Sequence, residues 1–421
     1  MKVFKFGGAS VKDADSVKNV ARVLKQFPEE SLVVVVSAMG KTTNELEKLV
    51  ACHLQGHKNK TLKQLKFIRD FHMTIVNGLF GKEDAVEGLE NLLSELETRS
   101  LKKPTTNEDF AYDQIVCYGE LISTRIVAAY LNNVGMSCTW WDARDLILTD
   151  STYREGKVNW KVTRERVRKN LLPKRKKHIS LTQGFIGSTS QKHTTTLGRE
   201  GSDYTAAILA HTLEAEEVTI WKDVPGVLNA DPKWFDDTVL LPQLSYRDAI
   251  ELSYYGATVI HPKTIQPLQN KKIPLRVRSF VNPKAKGTVI AEAHYRKLIP
   301  SFIFRIDQAL LSIQAKDFSF IAEDNLSLIF SLFAKHRIKI NVMQNSAISF
   351  LVAMDNNKKK VSALTKDLSK HFNVQSQTGH LELITIRYYD QKTIDRVCIN
   401  KEILLEQKGP ENVQLVVKDR G

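Results

Sequence analysis

Two adjacent glycines lie close to the N-terminus, directly after a short run that alternates apolar and charged residues. The run ends in Lys5-Phe6, and Gly7 and Gly8 precede a stretch with helical periodicity. Glycines at such a turn let backbone amides approach phosphate oxygens, and the start of the following helix favours anions. The ammonium of Lys5 would lie beside the turn, where it could meet a transferring phosphoryl group. The motif is neither a P-loop nor a GxGxxG fingerprint, and alone it is better explained by an ordinary tight turn.

A second and a third glycine-bearing segment follow later strand-like runs. Residues 184–187 (GFIG) come after one run, and residues 194–207 combine hydroxyls, glycines, Arg199 and Asp203. The planar guanidinium of Arg199 can grip a carboxylate through two hydrogen bonds. Asp203 stands at a predicted helix start, where a helix cap is the alternative role. So many functional residue types in one stretch indicate a site rather than a turn.

The fourth polar segment, residues 221–233, follows a strand-like run that ends in Trp221. Asp223 could accept a hydrogen bond from a ribose or an adenine, while Lys222 and Lys233 could meet phosphates. A turn rich in Pro, Gly, Asn and Asp explains the same residues without a ligand. Both interpretations stay open from the residues alone.

Short apolar runs alternate with helical stretches over residues 1 to about 290. This alternation is typical of an α/β fold with a mostly parallel sheet covered by helices on both faces. Ligands in such sheets bind beyond the carboxyl ends of the strands, where the four polar segments fall. Asp13 is a potential cap of the first helix, and residues 43–100 are predicted to form a helical excursion beside the sheet. The predicted strands are 3–6, 32–37, 139–142, 178–183, 217–221 and 273–278.

The pattern changes after about residue 300, past a linker-like segment at 282–287 that holds Pro, Gly and charge. The strand-like and helix-like runs over 309–377 follow the order β-α-β-β-α-β, which predicts a ferredoxin-like unit. One further strand is predicted at 381–388. The tail behind it is too short for a complete second copy of the unit.

The composition is that of a globular protein, and 421 residues are enough for two or three domains. The net charge of +14 suits nucleotides as well as nucleic acid. The densest basic run, at 174–177, has no nucleic-acid-binding motif beside it. No apolar stretch reaches membrane-spanning length, no signal peptide is visible, and the four cysteines lack zinc-like spacing. We therefore predict a cytoplasmic protein with no nucleic-acid partner and no membrane association.

Taken together, the motifs resemble those of aspartokinases in the amino acid kinase family. The matching segments are 5–10, 33–44, 118–120, 184–187, 195–207, 221–227 and 255–262, so the resemblance runs along nearly the whole chain. It implies an αβα sandwich with a mostly parallel central sheet, the amino acid kinase fold, as the catalytic domain over residues 1–290. It also implies an ACT-like regulatory and dimerisation region over 300–421, in which the second ACT copy is truncated.

The implied reaction transfers the γ-phosphoryl group of MgATP to the β-carboxylate of L-aspartate. The products are 4-phospho-L-aspartate and ADP, in the first step of lysine, threonine and methionine biosynthesis. The Mg²⁺ would be carried by ATP rather than by a metal site of the protein. Two other functions stay open: a family relative that acts on glutamate or acetylglutamate, and a catalytically weak protein that senses amino acids through its ACT unit.

The resemblance also implies a role for each matching residue. Lys5 would stabilise the transferred phosphoryl group, and Asp203 would orient this catalytic lysine. Glu120 would bind the α-ammonium of aspartate and Arg199 its α-carboxylate. The residues expected to bind aspartate are Ser37, Thr43, Glu120, Arg199 and Ser202. The residues expected to bind ATP are Lys5, Gly7, Gly8, Gly187, Lys222, Asp223, Leu228, Lys233 and Thr258.

Four positions depart from the family pattern. Glu200 replaces a common glycine, which would reduce the freedom of the loop beside the substrate. Lys222 stands where Thr or Ser is usual, and Leu228 where Tyr is frequent. Thr258 replaces a lysine expected to contact phosphate, and Lys222 or Lys233 could supply the missing charge.

The ACT-like region implies an amino-acid effector, such as lysine or threonine, and a homodimer formed through this region. The residues expected near the effector are Asn341, Met343, Gln344, Asn345 and Ser346. Because residues 319–324 replace the family's GxPG-type turn, three roles stay open: a working allosteric site, a dimer without feedback, and a vestigial scaffold. The dimer is the favoured expectation.

Overall fold

The structure is a computed structural model that describes residues 1–172, 178–257, 260–293, 299–317 and 319–420. The chain divides into two compact units. The first comprises Met1–Val227, Leu240–Ile250 and Val259–His294, and the second comprises Leu228–Val239, Glu251–Thr258 and Tyr295–Gly421. The basic run at 174–177 and the ATP-site candidate Thr258 lie outside the described residues.

A mostly parallel sheet forms the centre of the first unit. The described strands of this unit are β1 Lys2–Phe6, β2 Leu32–Val36, β3 Cys138–Trp141, β4 Ile179–Gln183, β5 Ile186–Ser188, β6 Thr194–Thr196, β7 Glu217–Lys222, β8 Gln243–Ser245, β9 Leu275–Ser279 and β10 Thr288–Ala291. Eight of them pair in the order β3-β4-β2-β1-β7-β9-β10-β8, and β5 pairs with β6. Within the large sheet only the β9–β10 pair is antiparallel. The predicted α/β fold is confirmed. For each of the six predicted strands, the first and last residues in the structure lie within two residues of the predicted ones.

Helices connect these strands. The described helices up to residue 270 are α1 Ala14–Leu24, α2 Thr42–Leu54, α3 Lys58–Phe80, α4 Leu89–Leu101, α5 Glu108–Val116, α6 Tyr118–Asn133, α7 Ala143–Leu146, α8 Trp160–Leu171, α9 Gly201–Leu213, α10 Tyr246–Tyr255 and α11 Pro262–Asn270, with 3₁₀ turns at Gly8–Val11 and Glu83–Ala85. The predicted helical excursion is the segment that contains α2, α3 and α4. Across the described part of the chain, no helix is both long and apolar enough to cross a membrane.

The sequence patterns explain why these elements form. The strand β2 consists of five apolar residues that are all buried, as expected for a parallel strand covered on both faces. The helix α1 begins after Asp13, whose carboxylate accepts a hydrogen bond from the backbone of Ser16. Its apolar face places Val17, Val20 and Leu24 in the core with β1 and β2.

The second unit contains two antiparallel four-stranded sheets. Its described strands are β11 Ser301–Arg305, β12 Gln308–Ala315, β13 Ile340–Asn345, β14 Ser349–Asp355, β15 Phe372–Gln377, β16 Leu381–Arg387, β17 Lys401–Lys408 and β18 Asn412–Asp419, and its helices beyond residue 300 are α12 Glu323–Lys335, α13 Lys358–Leu368 and α14 Gln391–Val397. One sheet has the order β13-β14-β12-β15. With α12 and α13 it forms the predicted β-α-β-β-α-β unit, around a core that includes Leu311, Phe333 and Val352.

The other sheet of the second unit has the order β11-β16-β18-β17. The tail behind β16, predicted to be too short for a complete second copy, forms α14, β17 and β18, and β11 supplies the fourth strand. In the described residues α14 is the helix whose Ile394 and Val397 pack into the core of this sheet, whereas a complete ferredoxin-like unit has two helices. The truncation of the second copy therefore stays a prediction.

Candidate active site

The carboxyl ends of the neighbouring strands β1, β2 and β7 place three predicted site residues together. Lys5 lies near the end of β1, Ser37 follows β2, and Lys222 is the last residue of β7. The three strands are parallel and in register, with Phe6 opposite both Val36 and Trp221. Their polar ends therefore open towards the same edge of the sheet, as expected for a ligand site in such a fold.

The closest charge contact at this edge joins Lys5 and Asp203. The ammonium Nζ of Lys5 lies 2.6 Å from Oδ1 of Asp203, and both side chains are almost fully buried. Asp203 belongs to the first turn of α9, where the helix dipole favours an anion. The N-cap position of α9 is occupied by Glu200 instead, so the cap role considered for Asp203 is not the one the structure gives it. Lys222 Nζ lies 4.0 Å from the other oxygen, Oδ2.

Two glycines are required here by close packing. A Cβ on Gly8 would lie 2.7 Å from the carbonyl oxygen of Gly40 and 2.8 Å from that of Ala38, in the loop after β2. A Cβ on Gly184 would lie 2.6 Å from Oγ of Ser202. These contacts allow the loops that follow the strands to pack against each other and against the start of α9. The two glycines are therefore needed for the shape of the site, whether or not they also contact a phosphate.

Glu120 brings a buried carboxylate to the cleft from the first turn of α6. The residue is 3% exposed. Its Oε1 accepts a long hydrogen bond of 3.3 Å from the backbone of Ala38, and Oε2 has no hydrogen-bond partner among the described residues. Burial raises the pKa of Glu120 to about 8. A buried carboxylate with one free oxygen is poised to receive a cationic group of a ligand.

Ser202 lies in the first turn of α9, and Arg199 and Glu200 come from the segment between β6 and α9. This segment is anchored by Asp113 of α5, whose carboxylate accepts hydrogen bonds from the backbone N and the hydroxyl of Thr196 at 2.9 and 2.7 Å. The same carboxylate accepts a 3.0 Å bond from the backbone of Arg154. Burial raises the pKa of Asp113 to about 6. Asp113 therefore ties two cleft-lining segments to one helix.

Glu200, which stands where the family pattern has a glycine, has a strained backbone. Its φ of 53° lies in the left-handed region, which side chains with a Cβ disfavour by about 1–2 kcal/mol. Oε2 of its carboxyl group is buried without a hydrogen-bond partner among the described residues. Burial, and then the charge of Asp203, raise the pKa of Glu200.

These residues line one cleft of about 540 Å³ in the first unit. It brings together eight predicted site residues: Lys5, Ser37, Thr43, Glu120, Arg199, Ser202, Asp203 and Lys222. Gly7 lies beside it, since a Cβ there would be 3.4 Å from Lys5 Nζ. A larger cavity, of about 640 Å³, lies among α2, α4, α5 and α6 and contains none of the predicted residues.

Other predicted residues are not brought into the cleft. Gly187 lies on β5, where a Cβ would be 2.9 Å from the carbonyl oxygen of Ile147, so packing explains this glycine. Asp223 is not among the residues that line the cleft. Leu228 and Lys233 belong to the second unit. Their roles in ATP binding stay predictions.

The cleft also contains residues that sequence reasoning missed, namely Tyr112, Arg154, Glu155, Phe185 and Thr196. The guanidinium of Arg154 lies over the ring of Tyr112, 4.1 Å from its centroid, and pairs with Asp109 at 2.6 Å. Arg154 itself has a φ of 65°. Tyr112 comes from α5, and Arg154 and Glu155 come from a loop without glycine-rich or periodic signals, whereas Phe185 and Thr196 lie inside the motif segments 184–187 and 194–207.

Comparisons with known proteins agree with this arrangement. The model of the amino acid kinase family matches residues 1–279. Aspartokinase 3, chloroplastic, of Arabidopsis thaliana is 32% identical over 99% of this chain and 78% of its own length. Two crystal structures of E. coli aspartokinase III, one in complex with lysine and aspartate (T-state) and one with aspartate and ADP (R-state), have TM-scores of 0.84 and 0.82. Both are 27% identical to this chain, and each comparison covers 99% of this chain and 96% of the crystallised one. The chain therefore belongs to the amino acid kinase family and, within it, to the aspartokinases, which are transferases.

Proposed function

We propose that this chain transfers the γ-phosphoryl group of MgATP to the β-carboxylate of L-aspartate, giving 4-phospho-L-aspartate and ADP. The observation that carries the proposal is the shared cleft of a 2.6 Å Lys5–Asp203 ion pair, a buried Glu120 and an exposed Arg199. Lys5, which would stabilise the phosphoryl group, thus lines the same cavity as Glu120 and Arg199, which would bind the head group of the amino acid. The product feeds lysine, threonine and methionine biosynthesis in this proposal, in the cytoplasm.

The head group of aspartate is assigned to Glu120 and Arg199. The Oε2 atom of Glu120 would accept a hydrogen bond from the α-ammonium of aspartate. The positive charge of the ammonium would also offset the free-energy cost of burying the Glu120 carboxylate. The guanidinium of Arg199 is matched by the α-carboxylate, which it can bind through two parallel hydrogen bonds. Ser37, Thr43 and Ser202 add polar groups on the same cavity wall. This pairing favours an unmodified amino acid over an N-acylated one, because acylation removes the ammonium.

The acceptor carboxylate needs no general base. With an ordinary pKa of about 4, a carboxylate is already ionised at neutral pH. The barrier comes from its repulsion by the phosphates, which Lys5 and the positioning of both substrates reduce. Asp203 is engaged by Lys5, so its role is to hold and orient the ammonium.

The cleft fits a nucleotide that carries its own metal ion. Lys5 and Lys222 offer two ammonium groups for a polyphosphate. Mg²⁺ bound to the phosphates would neutralise charge that develops during transfer. The crystallised E. coli relative bound aspartate and ADP, which supports the same two ligands here.

Regulation by an amino acid is proposed for the ACT-like region of the second unit. The predicted effector residues lie on or just after β13, at one edge of its sheet, and Met343 is 44% exposed. Asn341 donates hydrogen bonds of 2.8 Å to Gln308 and Asp355, so it supports the strand as well. The E. coli structure with lysine supports lysine as one candidate effector and threonine remains the other. A homodimer through this region is a further part of the proposal.

The proposed reaction is tested with purified protein, MgATP and a panel of aspartate, glutamate and acetylglutamate. ADP release is followed continuously, and hydroxylamine is added to trap an acyl phosphate as its hydroxamate. We expect ADP release and hydroxamate formation with aspartate, at a kcat/KM at least about a hundredfold above that for glutamate. Equal turnover of glutamate, or no hydroxamate with any acid, would contradict the proposal.

A further inference from the structure

The cavity among α2, α4, α5 and α6 has a basic lining. Its volume of about 640 Å³ is in the range of pockets that hold small organic ligands. The side chains that line it include three cations, Arg99, Lys102 and Lys103, and one anion, Glu95. With His53 neutral, these residues leave a surplus of two positive charges. A cavity with such a surplus concentrates anions.

The cations of this cavity are not neutralised by neighbouring carboxylates. Within the described ranges, the side chains of Arg99, Lys102 and Lys103 form no ion pair with an acidic residue. Glu95 accepts a hydrogen bond of 3.2 Å from the hydroxyl of Tyr118 instead. The three positive charges are therefore available to a ligand.

The buried part of the lining is aromatic and aliphatic, with one polar ring. Ile115 and Tyr118 are buried, and Phe110 is half-buried. His53 is 7% exposed, and its Nδ1 donates a 2.8 Å hydrogen bond to the carbonyl oxygen of Ser100. Its Nε2 has no partner in the part of the chain that the structure describes. An organic anion fits this combination better than a free inorganic ion does, because its apolar part can also be buried.

Three helices line both this cavity and the cleft that contains Lys5. Each helix gives residues to both, namely Thr43 to the cleft and His53 to the cavity on α2, Tyr112 and Gln114 on α5, and Glu120 and Tyr118 on α6. A ligand in the cavity would therefore contact elements that also shape the cleft. This arrangement allows binding at one site to affect the other.

Gln114 provides the most direct link between the two sites. Its Nε2 donates a 2.7 Å hydrogen bond to the carbonyl oxygen of Thr194 on β6. Its Oε1 accepts two longer bonds, of 3.3 Å from the backbone of Thr194 and of 3.4 Å from Arg99. A ligand that draws Arg99 into the cavity would leave Oε1 to Thr194 alone. The strand β6, which leads towards Arg199 and Ser202, would then be held more firmly.

We propose that this cavity binds a small organic phosphate monoester, and that the bound ester increases the affinity of the cleft for aspartate. A monoester carries about two negative charges at neutral pH, which matches the surplus of the lining. Arg99 can bind the phosphate through two hydrogen bonds, and the lysines act as point charges. The second part of this inference rests on the proposed function, because it assigns aspartate to the cleft.

Binding is tested by titration calorimetry of the purified chain with phenyl phosphate. We expect one site with a Kd below about 1 mM. Inorganic phosphate lacks the apolar ring and phenol lacks the charge, so each should bind at least about tenfold more weakly. No binding of phenyl phosphate at 10 mM, about ten times this Kd, would overturn the site. Equal binding of inorganic phosphate would overturn the organic ligand, and equal binding of phenol would overturn the anion.

Two variants test the location of the ligand. Arg99→Met removes the guanidinium but keeps an apolar stem, and Thr98→Trp keeps every charge but fills the cavity with a large ring. We expect each variant to weaken binding of phenyl phosphate about tenfold or more. Wild-type affinity in both folded variants, as verified by thermal melting, would overturn the site.

Two controls exclude a general charge effect and binding in the cleft. Lys66→Met removes a lysine from the surface of α3, where the side chain is 75% exposed, and Lys5→Ala removes the cation of the cleft. Both should bind phenyl phosphate like the wild type. A tenfold loss in Lys66→Met would show a general charge effect. A tenfold loss in Lys5→Ala would place the ligand in the cleft, and either loss would overturn the assignment.

The effect on the cleft is measured by titration with aspartate, with and without saturating phenyl phosphate. We expect aspartate to bind about fivefold more tightly with the ester, and the ester to gain the same factor from aspartate. Gln114→Met removes the shared acceptor, so it should bind the ester within about threefold of the wild type but lose this effect. Unchanged aspartate affinity in the wild type would overturn the coupling, and full coupling in Gln114→Met would overturn its route. Binding of the ester without any binding of aspartate would count against the proposed function and not against the cavity.

Discussion

At the residue scale, the proposed chemistry rests on Lys5, and its removal gives the most direct prediction. Replacement of Lys5 by alanine deletes the ammonium that is held 2.6 Å from Asp203 at the end of β1. We expect kcat to fall by roughly 10²–10³-fold, because the loss of one preorganised charge contact to a transition state has this size. Steady-state kinetics of ADP release with aspartate measure the effect.

The matched control for this variant is Lys66→Ala, because Lys66 pairs with Asp70 on the exposed surface of α3. It is expected to keep wild-type kcat. Circular dichroism and the melting temperature show whether Lys5→Ala retains its fold with Asp203 left near Lys222. Turnover within a fewfold of wild type in folded Lys5→Ala would remove this lysine from the mechanism.

The buried carboxyl group of Glu120 predicts a pH dependence of aspartate binding. Its pKa of about 8 in the free protein means that the group is largely protonated at neutral pH. A protonated carboxyl cannot pair with the α-ammonium, so binding must release the proton. We expect kcat/KM for aspartate to rise with pH from 6 to about 8, at up to tenfold for each pH unit, and then to level off.

Glu120→Gln tests this assignment with two readouts. The variant should lose most of the pH dependence and show a higher KM for aspartate at pH 8.5. Because burial raises the folded-state pKa above the ordinary value of 4.5, folding binds a proton, and wild-type stability should fall as pH rises from about 4.5 to 8. The variant should lack this fall and melt higher than wild type at pH 8.5. A wild-type pH profile in Glu120→Gln would reject the role of Glu120.

The predictability of these residues depended on where in the chain they lie. Lys5 stands beside a glycine-bearing end of a parallel strand, where ligands of such sheets bind, and Asp203 stands at the predicted start of a helix in a segment rich in functional residue types. Tyr112 and Arg154 reach the cleft from α5 and from a loop, so only the tertiary structure places them there. The left-handed φ of Glu200 was not predicted, because the departure from the family's glycine indicated only a loss of loop freedom at this position.

At the scale of elements, Asp113 links α5 to the segment that leads from β6 into α9. Asp113→Asn keeps the size of the side chain but replaces one acceptor by a donor that faces the donors of Thr196 and Arg154. We expect a loss of stability of about 1–3 kcal/mol, seen as a melting temperature lower by several degrees. The KM for aspartate should rise too, because both anchored residues line the cleft.

The control for this element is Asp109→Asn, the same change on the same helix. Asp109 pairs with the side chain of Arg154 at 2.6 Å but is 60% exposed, so its loss should cost less than about 1 kcal/mol. Equal effects of the two variants on melting and on KM would show that the buried anchor has no special role.

Elements with strong periodicity were predictable from the sequence, and short or weakly patterned ones were not. The apolar strand β2 and the helix α1 with its cap follow from local residue preferences. The strands β5 and β6 have only three residues each, too few for a period to be read. β17 carries charged residues on exposed positions, and it forms because β18 pairs with it, which is a long-range interaction.

At the scale of the whole molecule, the two units are not two continuous stretches of sequence. The predicted boundary near residues 290–300 stays a prediction, and the segments 228–239 and 251–258 also belong to the second unit. One reason is the backbone contact of Phe302 with Asn229, a 2.7 Å hydrogen bond between residues far apart in sequence. Composition and periodicity depend on local structure, so they could not predict that the segments 228–239 and 251–258 belong to the second unit.

A whole-molecule prediction follows from the proposal that one chain holds both an active site and an effector site. If an amino acid binds near β13 and has different affinities for the active and inactive states, it must change turnover in the first unit. We expect lysine or threonine to lower the rate of ADP release at fixed aspartate and ATP.

Gln344→Ala should raise the half-inhibitory concentration about fivefold or more while it leaves the melting temperature unchanged, because Gln344 is exposed on β13. The matched control is Gln407→Ala, an exposed glutamine on β17 of the other sheet, which should leave inhibition as it is. If neither amino acid affects the rate, both are excluded as effectors, and a dimer without feedback and a vestigial scaffold are the two expected roles that stay open.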